Sequence, residues 1–226
     1  MEGVSSGFNL NLFGYNIGIA EGILVQWGII ILFFIFSKVV VKRLKEIPDN
    51  KQSFIEMIVD YINNLVVDNM GNKRKGFAPF IGALVIFLLL MNISGLVGIA
   101  PPTKDLSITL GMGSIIFIII QAYTIKSNGV KEYFVGYTKP IFVLLPINIM
   151  ERIMLPISLS LRLFGNIAAA TIIVEMVYEA LGHIGWVAQL GIPIPLHFYF
   201  DIFDGAIQML IFVMLSMINI KIIAEH

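Results

Sequence analysis

The 226-residue chain has no cysteine, which excludes disulfides, iron–sulfur clusters and thiol catalysis. It has three histidines, His183, His197 and His226, scattered rather than set at metal-ligand spacing. With no Ser/His pair beside them, an intramembrane hydrolase is disfavoured, and no catalytic residue, metal ligand or cofactor site is expected. Net charge is zero, from 15 basic and 15 acidic residues, so nothing points to nucleic acid. Charged residues make up only 13% of the chain, against about 25% in ordinary soluble domains. The N-terminal stretch lacks a basic region followed by a cleavage site, so no removable signal peptide is expected. No internal repeat and no low-complexity segment is visible.

What is abundant is apolar sequence. Hydrophobic residues reach 58% and the mean hydropathy is +0.89. Several apolar runs approach or exceed the roughly 20 residues needed to cross a hydrocarbon core. The solvent for most of the protein is therefore a lipid bilayer. Spans are expected at 22–45, 77–99 and 107–126, with longer apolar segments at 140–181 and 192–224. The segment 52–70 differs. Phe54, Ile55, Ile58, Ile62 and Leu65 alternate at helical spacing with Glu56, Asp60, Asn63, Asn64 and Asp68, the pattern of an amphipathic interfacial helix.

The segment 140–181 would run about 60 Å as a helix, twice an upright crossing. Pro156 is its one strong breaker. It is either a pair of short spans or one long, bent or tilted helix. Basic clusters near residues 42, 74 and 131 belong on the cytoplasmic side, and the loop 100–106 then faces outside. A single crossing by 140–181 puts the N-terminus outside and Lys221 near a cytoplasmic C-terminus, which the basic clusters favour over a hairpin.

Ionisable groups inside membrane helices are costly and mark ion or substrate paths. The last two segments carry nearly all of them: Glu151, Arg152, Arg162, Glu175 and Glu179, then Asp201 and Asp204 with Gln208. Glu151, Arg152 and Glu179 lie near segment ends, where water can reach them. Arg162 lies too far from either end to snorkel fully. An ion pair with Asp201 or Asp204 is one way to satisfy it. A guanidinium stays charged at physiological pH, holds a nearby carboxylate ionised and repels cations. Facing a mobile carboxylate on another subunit, it would separate two ion pathways.

On an α-helix Arg162 shares a face with Ser158, Asn166 and Ala169. The small residues Ala168, Ala169 and Ala170 let another helix come close. Asp201, Asp204 and Gln208 also fall on one helical face. Gln208 is placed to hydrogen-bond the guanidinium without neutralising it.

The run Pro156-Ile157-Ser158-Leu159-Ser160-Leu161-Arg162-Leu163-Phe164-Gly165-Asn166 resembles the signature of subunit a of the bacterial F-type ATP synthase membrane sector. Asn92 to Gly98, then Pro102-Thr103 and Asp105 to Leu110, resemble that family's junction between its second and third spans. Pro146-Ile147-Asn148, Gln208 and the ending Ala224-Glu225-His226 are similar too, in the same order.

The resemblance implies an all-α polytopic fold of five crossings plus an interfacial helix, the last two crossings forming a long tilted hairpin. It implies a bacterial plasma-membrane subunit working against a rotating c-ring, alongside a b-subunit peripheral stalk. Arg162 would then separate two half-channels, with Gln208, Asn166 and Ser158 beside it. At two places the chain departs from the family pattern. Thr171 stands where a glutamate is usual, and Asp201 where a histidine is usual. Asp201 with either Glu175 or Thr171, and Asp204 beside them, are expected to line the outer path. His183 and His197 are expected to be surface or interfacial residues. A secondary transporter would show inverted repeats and helices broken at the midplane, and neither is seen. A plain membrane anchor would have no use for Arg162.

Overall fold

The computed structural model describes residues 9–12, 15–18, 21–42, 44–137, 142–182, 185, 189 and 191–225. A short antiparallel pair, β1 (Asn9–Leu12) and β2 (Tyr15–Gly18), precedes the helices, with Asn9 opposite Gly18. Helix α1 spans Glu21–Lys42, and α2 spans Asn50–Met70. A 3₁₀ turn, Asn72–Phe77, leads into α3 (Ala78–Ile93), and another, Ser94–Val97, follows it. After the 3₁₀ turn Pro102–Lys104 come α4 (Leu106–Asn128) and the short α5 (Val130–Gly136). The long helix α6 is Leu145–Gly182. The last segment is α7 (Pro193–His197), a π turn at Phe198–Asp204, and α8 (Gly205–Glu225).

Five helical segments among the described residues are long and apolar enough to cross a membrane: Glu21–Lys42, Asn72–Leu96, Leu106–Asn128, Leu145–Gly182 and Pro193–Ile223. The protein is a polytopic all-α membrane protein. The sequence-derived bounds shift by a few residues. The first helix ends at Lys42 rather than 45, because Leu44 and Lys45 are already non-helical. The expected start of the long helix at 140 lies outside the described residues, and the helix begins at Leu145. His183 is likewise outside them.

The core is where α3, α4, α6 and α8 meet. Ile81, Leu88 and Met91 of α3 pack with Met112, Ile116 and Ile120 of α4. Leu159 and Leu163 of α6 and Phe212, Val213, Met217 and Ile220 of α8 complete it. The amphipathic α2 adds Ile62, Val66 and Met70, buried at four-residue spacing; of the apolar face read from the sequence Ile62 alone is buried, and Phe54 and Ile58 are exposed. Helix α1 buries no residue. Its Trp27, Leu32, Phe34 and Phe36 are exposed, which suits a lipid-facing helix whose side chains need no protein partner.

The 38-residue α6 is continuous, about 57 Å at 1.5 Å per residue, which settles the choice between a hairpin and one long helix. Pro156 sits inside it. Its ring removes one backbone donor, the one that would meet the Arg152 carbonyl; separately, the Ser160 hydroxyl donates to the Pro156 carbonyl at 2.6 Å. Gly113 of α4 lets that turn of α6 come so close that an added methyl would overlap the Ser160 hydroxyl. Packing on α4 thus supports the helix at its weakest turn.

Candidate functional site

Helix α6 has two stripes. Leu159, Leu163, Ile167, Ala170 and Val174 are buried against the bundle. Ser158, Leu161, Arg162, Gly165, Asn166, Ala169, Ile172 and Met176 form the opposite, exposed stripe. Arg162, Ser158 and Asn166 therefore share a face, as their spacing required. Among the described residues Arg162 has no hydrogen-bond or ion-pair partner. The ion pair to Asp201 or Asp204 is not formed. Nor is the bond to Gln208, which is buried and donates through Nε2 to Asp204 Oδ1 at 3.5 Å. The Gln208 carboxamide is buried and meets a carboxylate of its own segment, whereas the Arg162 guanidinium belongs to an exposed residue.

On the side of α5 and the end of α8, a cavity of about 690 Å³ opens between α6 and α8. Tyr137, Asn148, Glu151, Ser158, Arg162 and Asn219 are among its lining residues, so polar groups share the cavity wall with the arginine. Arg152 is fixed in its wall. Its guanidinium lies 4.3 Å from the Tyr137 ring centroid and 5.5 Å from that of Tyr133. It also donates to Gln121 Oε1 at 3.3 Å. Burial, and then the bond to the Tyr137 hydroxyl, push the Tyr133 phenol up to about 12. Tyr133 thus stays neutral at any physiological pH and donates to Gln121 at 2.8 Å.

On the opposite side, polar groups gather around the π turn. His197 Nδ1 lies 2.8 Å from Asp201 Oδ2, and His197 Nε2 lies 3.2 Å from the Tyr178 hydroxyl of α6. Asp201 rests on Gly95, where an added Cβ would fall 2.9 Å from the carboxyl carbon. Asn92 donates to the Gly205 carbonyl at 2.9 Å and accepts from Thr103 at 3.3 Å, all in the interior. Lys104 pairs with Glu175 at 3.1 Å on the surface.

The sequence-derived stripe of Asp201, Asp204 and Gln208 is thereby split. The i→i+5 bonding of a π turn offsets Asp201 from the residues after it. One pair, His197–Asp201, forms across the turn, and another, Asp204–Gln208, forms beyond it. The expected combination of Asp201 with Glu175 is not assembled, because each carboxylate has its own cationic or imidazole partner. Thr171 is half-buried and donates to the Ile167 carbonyl of its own helix at 2.8 Å. His197, expected as a plain surface residue, is tied to the Asp201 carboxylate; its four-residue spacing from Asp201 is the signal for that contact. Among the described residues no three His, Cys, Asp or Glu side chains gather to hold a metal ion.

Asn92 anchors this region. Asn92→Ala should leave the buried Thr103 hydroxyl and the Gly205 carbonyl short of a partner, a loss of about 1–3 kcal/mol. A lowered thermal midpoint of the detergent-purified protein would show it, and an unchanged midpoint would refute it.

Fold and site define a class: a multi-pass helical membrane protein with an exposed arginine on a long membrane helix. Residues 23–221 match the family model described as ATP synthase A chain. ATP synthase subunit a of Staphylococcus aureus strain JH9 is 32% identical over 234 residues, covering 96% of each chain. The Geobacter sulfurreducens subunit a is 34% identical over 207 residues, covering 89% of this chain and 86% of that one. A sodium-ion-specific subunit a from Propionigenium modestum is 30% identical over 223 residues, covering 92% and 75%. The chain belongs to this family, subunit a of the bacterial F-type ATP synthase. It is therefore an ion-translocating stator subunit of the membrane sector and associates with the rest of that ATP synthase.

Proposed function

We propose that the chain provides two aqueous half-channels that reach a ring of c subunits from opposite sides of the membrane, with Arg162 as the barrier between them. The carrying observation is the placement of Arg162, exposed on an otherwise mostly apolar stripe of α6 and without a partner among the described residues. Left against lipid, such a charge costs roughly 2.5–3.5 kcal/mol or more. A ring carboxylate passing the stripe removes that cost.

The inner half-channel is the cavity lined by Glu151, Ser158 and Asn219. The outer one runs by Asp201, Asp204 and Gln208, with Thr171 and Glu175 flanking it on α6. The N-terminus is outside and the C-terminus cytoplasmic, and a b-subunit stalk holds the subunit against the turning ring. An ion entering one half-channel neutralises a ring carboxylate, which then leaves the arginine. The next carboxylate arrives from the other side, gives up its ion and pairs with Arg162. The coupling ion is a proton or, as the name of the Propionigenium relative states for that protein, sodium.

The chain has no cysteine, so one introduced thiol is unique. Ala169→Cys should cross-link to a cysteine placed at membrane depth on a c subunit, in the assembled complex under mild oxidation. Cross-linking from the buried stripe instead, for example from Val174→Cys, with none from position 169, would overturn the proposed ring face.

A further inference from the structure

We infer that Arg152 tunes cation uptake at the inner cavity: its unneutralised charge raises the cation concentration needed on the cytoplasmic side, so the cavity releases ions more readily than it collects them. This rests on the reading of that cavity as the inner half-channel and names the residue that sets its affinity.

Two guanidiniums, those of Arg152 and Arg162, line the cavity against one carboxylate, that of Glu151. The other lining residues are neutral. Glu151 and Arg162 stand 11 positions apart on α6, close to three helical turns, and so share a face. Arg152 is turned instead toward α4 and α5. Its guanidinium is stacked 4.3 Å from the Tyr137 ring centroid, lies 5.5 Å from that of Tyr133 and donates to Gln121 Oε1 at 3.3 Å. All three partners are neutral, Tyr133 because burial pushes its phenol up to about 12. Among the described residues no carboxylate pairs with Arg152, not even Glu151 beside it in the chain. The rings and the amide fix the guanidinium in place without cancelling its charge.

A net positive charge around a water-filled space with low-dielectric walls lowers the local concentration of any cation. One unit charge at about 8 Å and an effective dielectric of 20 lowers it about thirtyfold. Salt screens part of this, less in a cavity than at an open surface, and leaves roughly tenfold. The effect depends on charge alone, so it is the same for a proton and for a sodium ion. During synthesis the ion leaves through this cavity, and the charge hastens its release. During ATP-driven pumping the ion enters here, and the charge slows loading when the cation is scarce. Tyr123 and Lys126 of α4, Lys131 and Glu132 of α5 and Lys221 of α8 are the other titratable groups among the described side chains of the surrounding elements, and none of them lines the cavity.

The test uses the complete ATP synthase in liposomes with its cytoplasmic face outward. ATP-driven cation uptake is followed over a series of medium pH at fixed sodium, then of sodium concentration at fixed pH. In Arg152→Met the half-saturating concentration of the coupling cation should fall about tenfold, which for protons moves the pH midpoint up by about one. The maximal rate should change less. Arg152→Lys keeps the charge but not the planar stacking, and should keep the wild-type midpoint. Asn219→Asp adds a carboxylate to the same wall with Arg152 in place, and should shift the midpoint as Arg152→Met does; it carries the test alone where Arg152→Met does not assemble. An unchanged midpoint in either of these two variants overturns the inference. So does an equal shift in Arg152→Lys and Arg152→Met, which would leave Arg152 only the task of holding α5 on α6. Arg162→Ala run in parallel separates the two readings. If it is uncoupled while Arg152→Met keeps the wild-type midpoint, only this inference fails; if it couples normally, the half-channel reading fails.

Discussion

Arg162→Ala should reduce ion-driven ATP synthesis to background while the subunit still folds and assembles. The two halves of that result have separate causes. Arg162 has no partner among the described residues and is exposed on α6, so its removal breaks no contact that holds the subunit together. Function depends on the charge itself. At about 4 Å and an effective dielectric of 20, attraction between unit charges is about 4 kcal/mol, a roughly thousandfold bias toward the ionised ring carboxylate. Without it a carboxylate can cross the interface still loaded, and the two half-channels are joined. Passive ion flux through the membrane sector should persist or rise as synthesis vanishes.

Arg162→Lys should fail nearly as completely. Lysine keeps a charge in water, but a desolvated ammonium gives up its proton readily where a guanidinium does not. It also lacks the planar fork that meets a carboxylate with two bonds. Synthesis and passive flux, measured on the same reconstituted complexes, check both variants. Coupled synthesis at the wild-type rate in either one would refute the barrier role. Gln208 sharpens the expectation. In the isolated subunit it is buried and bonded to Asp204, so Gln208→Leu should weaken the outer polar path without reproducing the full loss at Arg162.

Much of the fold is legible in the amino-acid sequence. Apolar runs carry the five spans, and the alternation from Phe54 to Asp68 carries the amphipathic α2, because burial and lipid exposure act on period and composition directly. The shared face of Ser158, Arg162 and Asn166 follows from helical geometry alone. Three features do not follow. The close approach of α4 to α6 at Pro156 and Ser160 requires Gly113, 43 residues away from Pro156 by their numbers, and such a tertiary contact leaves no local trace. The π turn breaks the 3.6-residue phase on which the Asp201, Asp204 and Gln208 stripe rests, so two separate pairs replace one row. The Lys104–Glu175 pair joins positions 71 apart and takes Glu175 away from Asp201. His197 is different: its spacing to Asp201 is readable in the chain, and the expectation of a plain surface residue leaves that spacing unused.

The second large effect is expected at Gly113, far in sequence from any ionisable group of the path. An added Cβ there would overlap the Ser160 hydroxyl and lie 2.7 Å from the Pro156 carbonyl oxygen. Rotating Ser160 relieves the first contact. The second is with helix backbone and can be relieved only by moving α6. Overpacking of this kind costs about 1–3 kcal/mol, and losing the 2.6 Å Ser160–Pro156 bond adds about 1 kcal/mol. Gly113→Ala should therefore lower the thermal midpoint of the complex, and Gly113→Val should prevent its recovery. Adding Ser160→Ala to Gly113→Ala should restore only part of the loss, because the carbonyl contact remains. Gly111→Ala is the internal control. It lies two residues away on the same helix with nothing within 4 Å of its added Cβ, and should be neutral or stabilising by up to about 1 kcal/mol through helix propensity. If Gly113→Ala matches Gly111→Ala in midpoint and yield, the close crossing of α4 and α6 does not hold the arginine helix in place. If it does hold it, coupling in Gly113→Ala should fall before the subunit unfolds, since any outward shift of α6 carries the Arg162 stripe with it, and reaction geometry at such a site tolerates displacements of well under about 1 Å.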